Sequence, residues 1–148
     1  MTIQKIEEQD LPTIVELEKL CFAHPMSEGN LRAFLLGEIG TGFVLRETDN
    51  GMALAYGGAM CVAGEAQIMN IATHPAYRKR GYAEKILCAL LEWIVQKGAY
   101  AVTLEVREGN APARALYEKR GFYEVGRIVR YYKSPVEDAL ILKKDLMT

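Results

Sequence analysis

Histidine is scarce in this chain: His24 and His74 are the only two among 148 residues, and neither stands at a spacing that would make it a metal ligand with cysteine or acid. Cysteine is equally thin. Cys21, Cys61 and Cys88 are odd in number, far apart and without a Cys-x-x-Cys pair, so the thiols read as free, in a reducing compartment. No apolar run reaches the roughly eighteen residues of a membrane span, and the amino-terminal stretch has no basic segment followed by an apolar one. The expectation is a cytoplasmic protein with no metal and no membrane partner. An excess of one charge is also missing, with 18 basic against 19 acidic side chains and a net charge of −1, which disfavours a dedicated nucleic-acid binder. Repeats, linkers and low-complexity segments are absent too, so residues 1–148 read as a single domain, monomeric or weakly oligomeric.

What the chain does have is a globular balance, half hydrophobic and a quarter charged. The segment Thr2–Ile6 alternates as a short strand. Asp10 is placed to cap a helix with Pro12 in its first turn and Leu11, Ile14, Leu17 and Leu20 inward. The stretch Cys21–Ser27 interrupts it, and Ser27 can cap a second helix carrying Leu31, Phe34 and Leu35, ended near Gly37. Strand texture follows: Gly42–Arg46, a turn at Asp49-Asn50-Gly51, Met52–Val62, a turn at Gly64-Glu65, and Ala66–Thr73. Gly57-Gly58 inside the second of these suggests a bulge or a close approach. A helix over Tyr82–Lys97 stops at Gly98, and Ala101–Val106 reads as a buried strand. A helix over Ala111–Arg120 and two strands, Tyr123–Tyr131 and Asp138–Lys144, complete the chain. Together these predict an α/β fold: a mixed, mostly antiparallel central sheet with helices on both faces.

The most informative stretch joins Ala66–Thr73 to the Tyr82 helix. That helix repeats apolar residues at Ala83, Ile86, Leu87, Leu90, Leu91 and Ile94, and it is entered through Arg78-Lys79-Arg80-Gly81. The first N–H groups of a helix lack internal partners and sit at the positive end of its dipole. Gly81 admits positive φ and close approach of an anion, and Lys79 and Arg80 add charge, so the junction reads as a diphosphate cradle. A solvated basic turn or a nucleic-acid patch are the alternatives, the latter opposed by composition.

Arg78-x-x-Gly81-x-Ala83 resembles the cofactor loop of the GCN5-related N-acetyltransferases (GNAT). A second, longer match to the same family runs from Leu104-Glu105-Val106-Arg107 through Asn110 and Ala115-Leu116-Tyr117 to Gly121-Phe122. It is most similar to the RimI type, which acetylates the amino-terminal alanine of a ribosomal protein. Cys21-Phe22 with Pro25 and Ser27, and Arg130-Tyr131-Tyr132 with Glu137-Asp138-Ala139, extend the resemblance over the whole chain. Met26 stands where the family commonly has tryptophan, and the loop from Tyr132 to Glu137 is short.

The resemblance implies a single GNAT domain that uses acetyl-CoA as co-substrate, with a protein amino terminus, that of a ribosomal protein, as acceptor. The backbone of Ile71, Ala72 and Thr73 would meet the pantetheine arm, and Arg78, Lys79, Arg80, Gly81, Tyr82, Ala83 and Glu84 the diphosphate. Asn110, placed as a helix N-cap, would also touch the cofactor. Glu105, at a strand's C-terminal end, would be the general base and Tyr117 the acid, a phenol being protonated at neutral pH. A surface carboxylate and a core tyrosine are the plain structural alternatives for this pair. An acetyltransferase of small amines, a non-catalytic coenzyme-A-binding module and a small RNA-binding protein remain the competing functions.

Overall fold

Two antiparallel hairpins built in sequence order carry the first half of the sheet in a computed structural model that describes residues 1–146. Strand β1 (Thr2–Lys5) pairs with β2 (Gly40–Arg46), β2 with β3 (Ala53–Val62), and β3 with β4 (Glu65–Thr73). Between β1 and β2 lie α1 (Leu11–Cys21) and α2 (Glu28–Leu35). After β4 come α3 (Tyr82–Gln96), β5 (Ala101–Arg107), α4 (Ala111–Lys119), β6 (Tyr123–Lys133) and β7 (Val136–Asp145). The seven strands stand in the order β1-β2-β3-β4-β5-β7-β6, antiparallel throughout except at β4–β5. The α/β architecture expected from the sequence is the one observed.

Each face of the sheet has its own core. On one, Ile86, Leu87, Leu90 and Ile94 of α3 pack with Tyr117 and Phe122 over Leu45, Leu104, Val106 and Leu140. On the other, Leu11, Ile14 and Leu17 of α1 meet Leu31 and Leu35 of α2 over Val44, Tyr56 and Ala72. The Gly57-Gly58 step lets both layers close in: a Cβ on Gly57 would lie 2.4 Å from Ile86, and one on Gly58 2.5 Å from Leu35. The ladder to β4 shifts register just after it, the bulge that paired glycines suggest.

Ser27 caps α2 by accepting the Asn30 N–H, and Asn110 caps α4 by accepting that of Ala113. Helix α3 ends as its glycine predicts: Gly98 takes φ +78°, its N–H reaches Val95 and that of Ala99 reaches Ile94. Two expectations are corrected. Asp10 makes no side-chain cap to α1; its carboxylate accepts the Glu7 N–H and pairs with Arg46, a β2 residue that no local pattern links to it. Leu20 is 52% exposed, because the inward stripe of α1 runs through Glu18, and Leu20 lies roughly a third of a turn away from Ile14.

The feature that creates the site is the brevity of the one parallel ladder. Strands β4 and β5 pair only over Glu65–Gln67 against Ala101–Thr103, and then separate. Beyond that point β4 still pairs with β3, and β5 with β7, so a wedge opens inside the sheet rather than at its edge.

Candidate active site

The parted strands form the floor of a cleft of about 640 Å³, lined by Ile68–Ile71 of β4, Leu104–Arg107 of β5, Asn110 and Tyr117, with Phe22–His24 on one side and Tyr131–Pro135 on the other. Past Gln67, the β4 backbone groups facing β5 have no ladder partner, which suits an extended amide-bearing chain lying between the strands. The Thr73 carbonyl is the exception. It accepts from the Cys21 thiol at 3.3 Å and from Arg78 Nε at 3.4 Å.

At the end of β4 the chain turns into α3 through two left-handed residues, Lys79 at φ +65° and Gly81 at φ +80°. The first helical bond runs from the Lys85 N–H to the Gly81 carbonyl at 3.2 Å, so the amides of Tyr82, Ala83 and Glu84 precede it and remain available. No atom lies within 4 Å of where a Gly81 Cβ would be. Glycine is therefore needed there for its backbone angle, and the space above the amides stays open. These residues fit a diphosphate on geometry as well as on charge.

The three cations of the loop divide. Arg78 turns back toward the end of α1, its Nη2 lying 3.6 Å from Cys21 Sγ. Arg80 lies over the Tyr77 ring at 4.9 Å, while Lys79 is exposed in the turn. Glu84, expected beside the cofactor, directs its carboxylate to the end of α4, 3.0 Å from Lys119 and 2.6 Å from Arg120 just beyond it, and hydrogen bonds from these cations, Lys119 first, hold it below the usual carboxylate range. Its place in a cofactor site is thus through its amide. A more open groove of about 990 Å³ runs from Arg80, Gly81 and Glu84 along α3 to Trp93 and Gln96. It contains neither Glu105 nor Tyr117, so the chemistry is assigned to the cleft.

Glu105 and Tyr117 both face that cleft. Glu105 is exposed although β5 is an interior strand, because β4 has moved aside. The Tyr131 phenol is pushed up, first by hydrogen bonding toward the Glu105 carboxylate and then by its charge. Burial, followed by the charge of Glu105, pushes Tyr132 up to about 12. Tyr117 is 9% exposed, packs edge-on against Phe122, and is likewise pushed up to about 12 by burial. One carboxylate among three protonated phenols is an arrangement able to take a proton at one point and supply one at another.

Sequence reasoning missed what holds the cleft's walls. Glu18 is 1% exposed, and its carboxylate accepts the Met26 N–H at 2.8 Å, the Asn70 side-chain amide at 2.9 Å and the Tyr56 hydroxyl. It ties the Phe22–Ser27 wall to the floor. The available signal was a charged residue on the same helical stripe as Leu11 and Ile14. On the opposite wall, β6 breaks register between Ile128 and Tyr132, where Arg130 takes φ +55°. Asp138 secures the break by accepting the Arg130 N–H at 2.9 Å and pairing with Arg127 at 2.8 Å, and both contacts hold its carboxyl below the ordinary value. A bulge of this kind re-aims the side chains that follow it, here Tyr131 and Tyr132.

The acetyltransferase (GNAT) family description matches residues 11–122, a span that includes the α3 junction, Glu105 and Tyr117. The chain belongs to the GNAT acetyltransferase family. It is 36% identical over 143 residues, 95% of each chain, to the [ribosomal protein bS18]-alanine N-acetyltransferase of Escherichia coli K12. The crystal structure of the ribosomal-protein-S18-alanine N-acetyltransferase from Escherichia coli superposes with a TM-score of 0.89 at 34% identity, covering 99% of this chain and 94% of that one. Arabidopsis thaliana NAA60 in complex with acetyl-CoA shares the fold at a TM-score of 0.87 and 16% identity, over 98% of each chain.

In this GNAT chain Ile71, Glu105, Asn110 and Tyr117 line the cleft, Arg80, Gly81 and Glu84 line the groove along α3, and the other expected residues, Ala72, Thr73, Arg78, Lys79, Tyr82 and Ala83, line neither. Ala72 does not fit the expected cofactor contact: its side chain is buried in the α1–α2 core, and its backbone lies opposite Tyr56 in the ladder to β3, which turns its N–H and carbonyl away from the cleft. The three thiols are free, and Cys21 is the one within the cleft. Among the described residues no cluster of three or more metal-ligating side chains occurs, and no helix is long and apolar enough to cross a membrane.

Proposed function

We propose that this chain transfers an acetyl group from acetyl-CoA to the α-amino group of a protein amino terminus, that of a ribosomal protein beginning with a small residue, alanine first. The observation that carries the reading is the placing of Glu105 and Tyr117 in one cleft whose outer wall is the Tyr131–Pro135 segment. An extended peptide can bond to such a wall through its main chain, and the phenols of Tyr131 and Tyr132 offer contact area with a polar tip. A small amine would leave most of the cleft unfilled.

Acetyl-CoA supplies an activated thioester. The rest is work for this chain's own residues. An α-amino group with a pKa of roughly 7.7–8.0 is mostly charged at neutral pH, so Glu105 acts as the base that takes its proton, directly or through water. Unpaired β4 amides near Ile71 polarise the carbonyl under attack. Tyr117, kept protonated by burial, returns a proton to the departing sulfur. Attack is direct, within a ternary complex. The amides of Tyr82, Ala83 and Glu84, with Lys79 and Arg80, hold the diphosphate, and Asn110 holds the start of α4 beside the cleft. The free thiols fit a reducing compartment, on this reading the cytoplasm.

The test is incubation of the protein and acetyl-CoA with a mixed panel: peptides beginning with alanine, serine or bulky residues, plus free lysine, spermidine and an aminoglycoside. The products are read by mass spectrometry. Labelling at the α-amino group of the small-residue peptides is expected. Exclusive labelling of the small amines, or of lysine side chains, would overturn the acceptor assignment.

A further inference from the structure

Arg107 ends β5, two residues beyond Glu105, so strand alternation places both side chains on the cleft face. Its guanidinium makes three hydrogen bonds and one aromatic contact. Nη1 donates to the Pro135 carbonyl at 3.0 Å and to Glu137 at 3.2 Å, Nη2 donates to the Ser134 carbonyl at 3.4 Å, and the charged plane lies 4.2 Å from the centre of the Tyr132 ring. The second oxygen of Glu137 accepts the Gly109 N–H, one residue before the Asn110 cap of the helix that carries Tyr117. We infer that Arg107 is a positioning residue: it holds the β6–β7 turn over the cleft and thereby sets the affinity for the acceptor.

The pairing pattern shows why such a strut is required. The hairpin closes itself, with Tyr132 opposite Glu137 and Lys133 opposite Val136. Its attachment to the sheet stops earlier. The β5–β7 ladder ends at Arg107–Ala139, and the last backbone bond joins the Glu108 N–H to the Asp138 carbonyl at 3.1 Å. Residues 132–137 therefore overhang the sheet, and backbone pairing alone leaves their distance from β5 undetermined. A guanidinium suits this place because its planar fork reaches two carbonyls and a carboxylate at once while stacking on an aromatic face; an ammonium offers one point of charge. Since Tyr131–Pro135 line the cleft, the position of the tip is the width of the acceptor site.

The inference rests on the acetyltransferase reading above for its consequence, though not for the pinning itself. Arg107→Met and Arg107→Lys separate the two. In hydrogen exchange followed by mass spectrometry, Arg107→Met should accelerate exchange in peptides covering 131–137 and leave those covering 82–96 unchanged. In steady-state assays on whichever acceptor the panel labels, its KM should rise about tenfold, with kcat within about threefold of wild type and acetyl-CoA affinity by calorimetry unchanged. Arg107→Lys should recover only part of the KM, and it serves alone if the methionine variant does not fold. A wild-type acceptor KM in both variants, or coenzyme and acceptor affinities falling together while exchange rises throughout the chain, would overturn the inference. Failure of the wild type to label any peptide would overturn the acceptor assignment instead, while the exchange measurement still decides whether Arg107 pins the turn.

Discussion

At the α3 junction proposed to hold the coenzyme, a run of consecutive residues from Arg78 to Glu84 offers mostly backbone: left-handed angles at Lys79 and Gly81, then three amides ahead of the first helical bond. On the walls proposed to hold the acceptor, nothing is contiguous. Glu18 of α1 reaches Met26, Tyr56 and Asn70, while Arg107 of β5 reaches Ser134, Pro135 and Glu137. The first arrangement suits a ligand that never varies, because backbone amides recognise phosphate whatever the side chains do. The second places recognition in side chains that can change singly, so the acceptor can change while fold and cofactor stay.

The largest expected effect lies where the two sides meet. Glu105→Gln should lower turnover by about 10²–10⁴-fold, most strongly below pH 8 where the amine is charged, and Tyr117→Phe by a similar order, both with acetyl-CoA binding retained in calorimetry. Because burial holds Tyr117 up to about 12, its proton remains in place across the whole working range. The wild-type rate should therefore rise with pH through the amine pKa and show no fall before about pH 10. A wild-type rate in either variant, measured with a verified acceptor, would remove that residue from its role.

The same contrast explains what could be read from the sequence. The α3 junction was legible because glycine, cations and a periodic helix are neighbours along the chain. Both faces of the core were legible from periodicity, and so were the caps at Ser27 and Asn110. The buried Glu18 was not, nor was its displacement of Leu20 to the surface, since partners 38 and 52 residues away leave no local trace. Asp10 escapes local pattern for the same reason: a capping residue type at a helix start is common, and its ion pair with Arg46 is visible only in three dimensions. The wedge between β4 and β5 depends on where a ladder stops, which no residue type announces.

The second effect in size concerns stability. Glu18→Ala removes the acceptor of three buried or half-buried donors, each orphaned donor costing roughly 1–3 kcal/mol, with less than full additivity. The melting temperature should fall by several degrees or more, and acceptor KM should worsen before acetyl-CoA affinity does, because Met26 and the Phe22–Ser27 wall lose their tie. If coenzyme affinity fell first, the two sides would not be separable as drawn.

Gly81→Ala comes third. The site has room for a methyl group, so the cost is the left-handed angle alone, roughly 1–2 kcal/mol. Relaxing that angle would turn the Tyr82–Glu84 amides, so the rise in melting temperature produced by saturating acetyl-CoA should shrink, with acceptor preference unaltered. An unchanged thermal shift would mean that the cradle does not depend on the backbone angle.

The smallest effect is the sharpest test of how the coenzyme side is built. Glu84 stands in the first turn of α3, where a side chain could meet a ligand, yet its carboxylate is committed to Lys119 at the end of α4 and to Arg120 just beyond it. A carboxylate pointed at a diphosphate would repel it, whereas one neutralised by two cations spares the ligand that repulsion and joins the helix bearing the N-terminal amides to the helix bearing Tyr117. Glu84→Gln should accordingly leave acetyl-CoA affinity within about twofold, since the side-chain amide oxygen can still accept from Arg120 and the Glu84 backbone N–H is unchanged. Glu84→Lys should instead push the α4 cations away and disturb turnover more than coenzyme binding. If Glu84→Gln alone weakened acetyl-CoA binding by tenfold or more, the coenzyme side would depend on a side chain after all, and the contrast with the acceptor side would be one of degree.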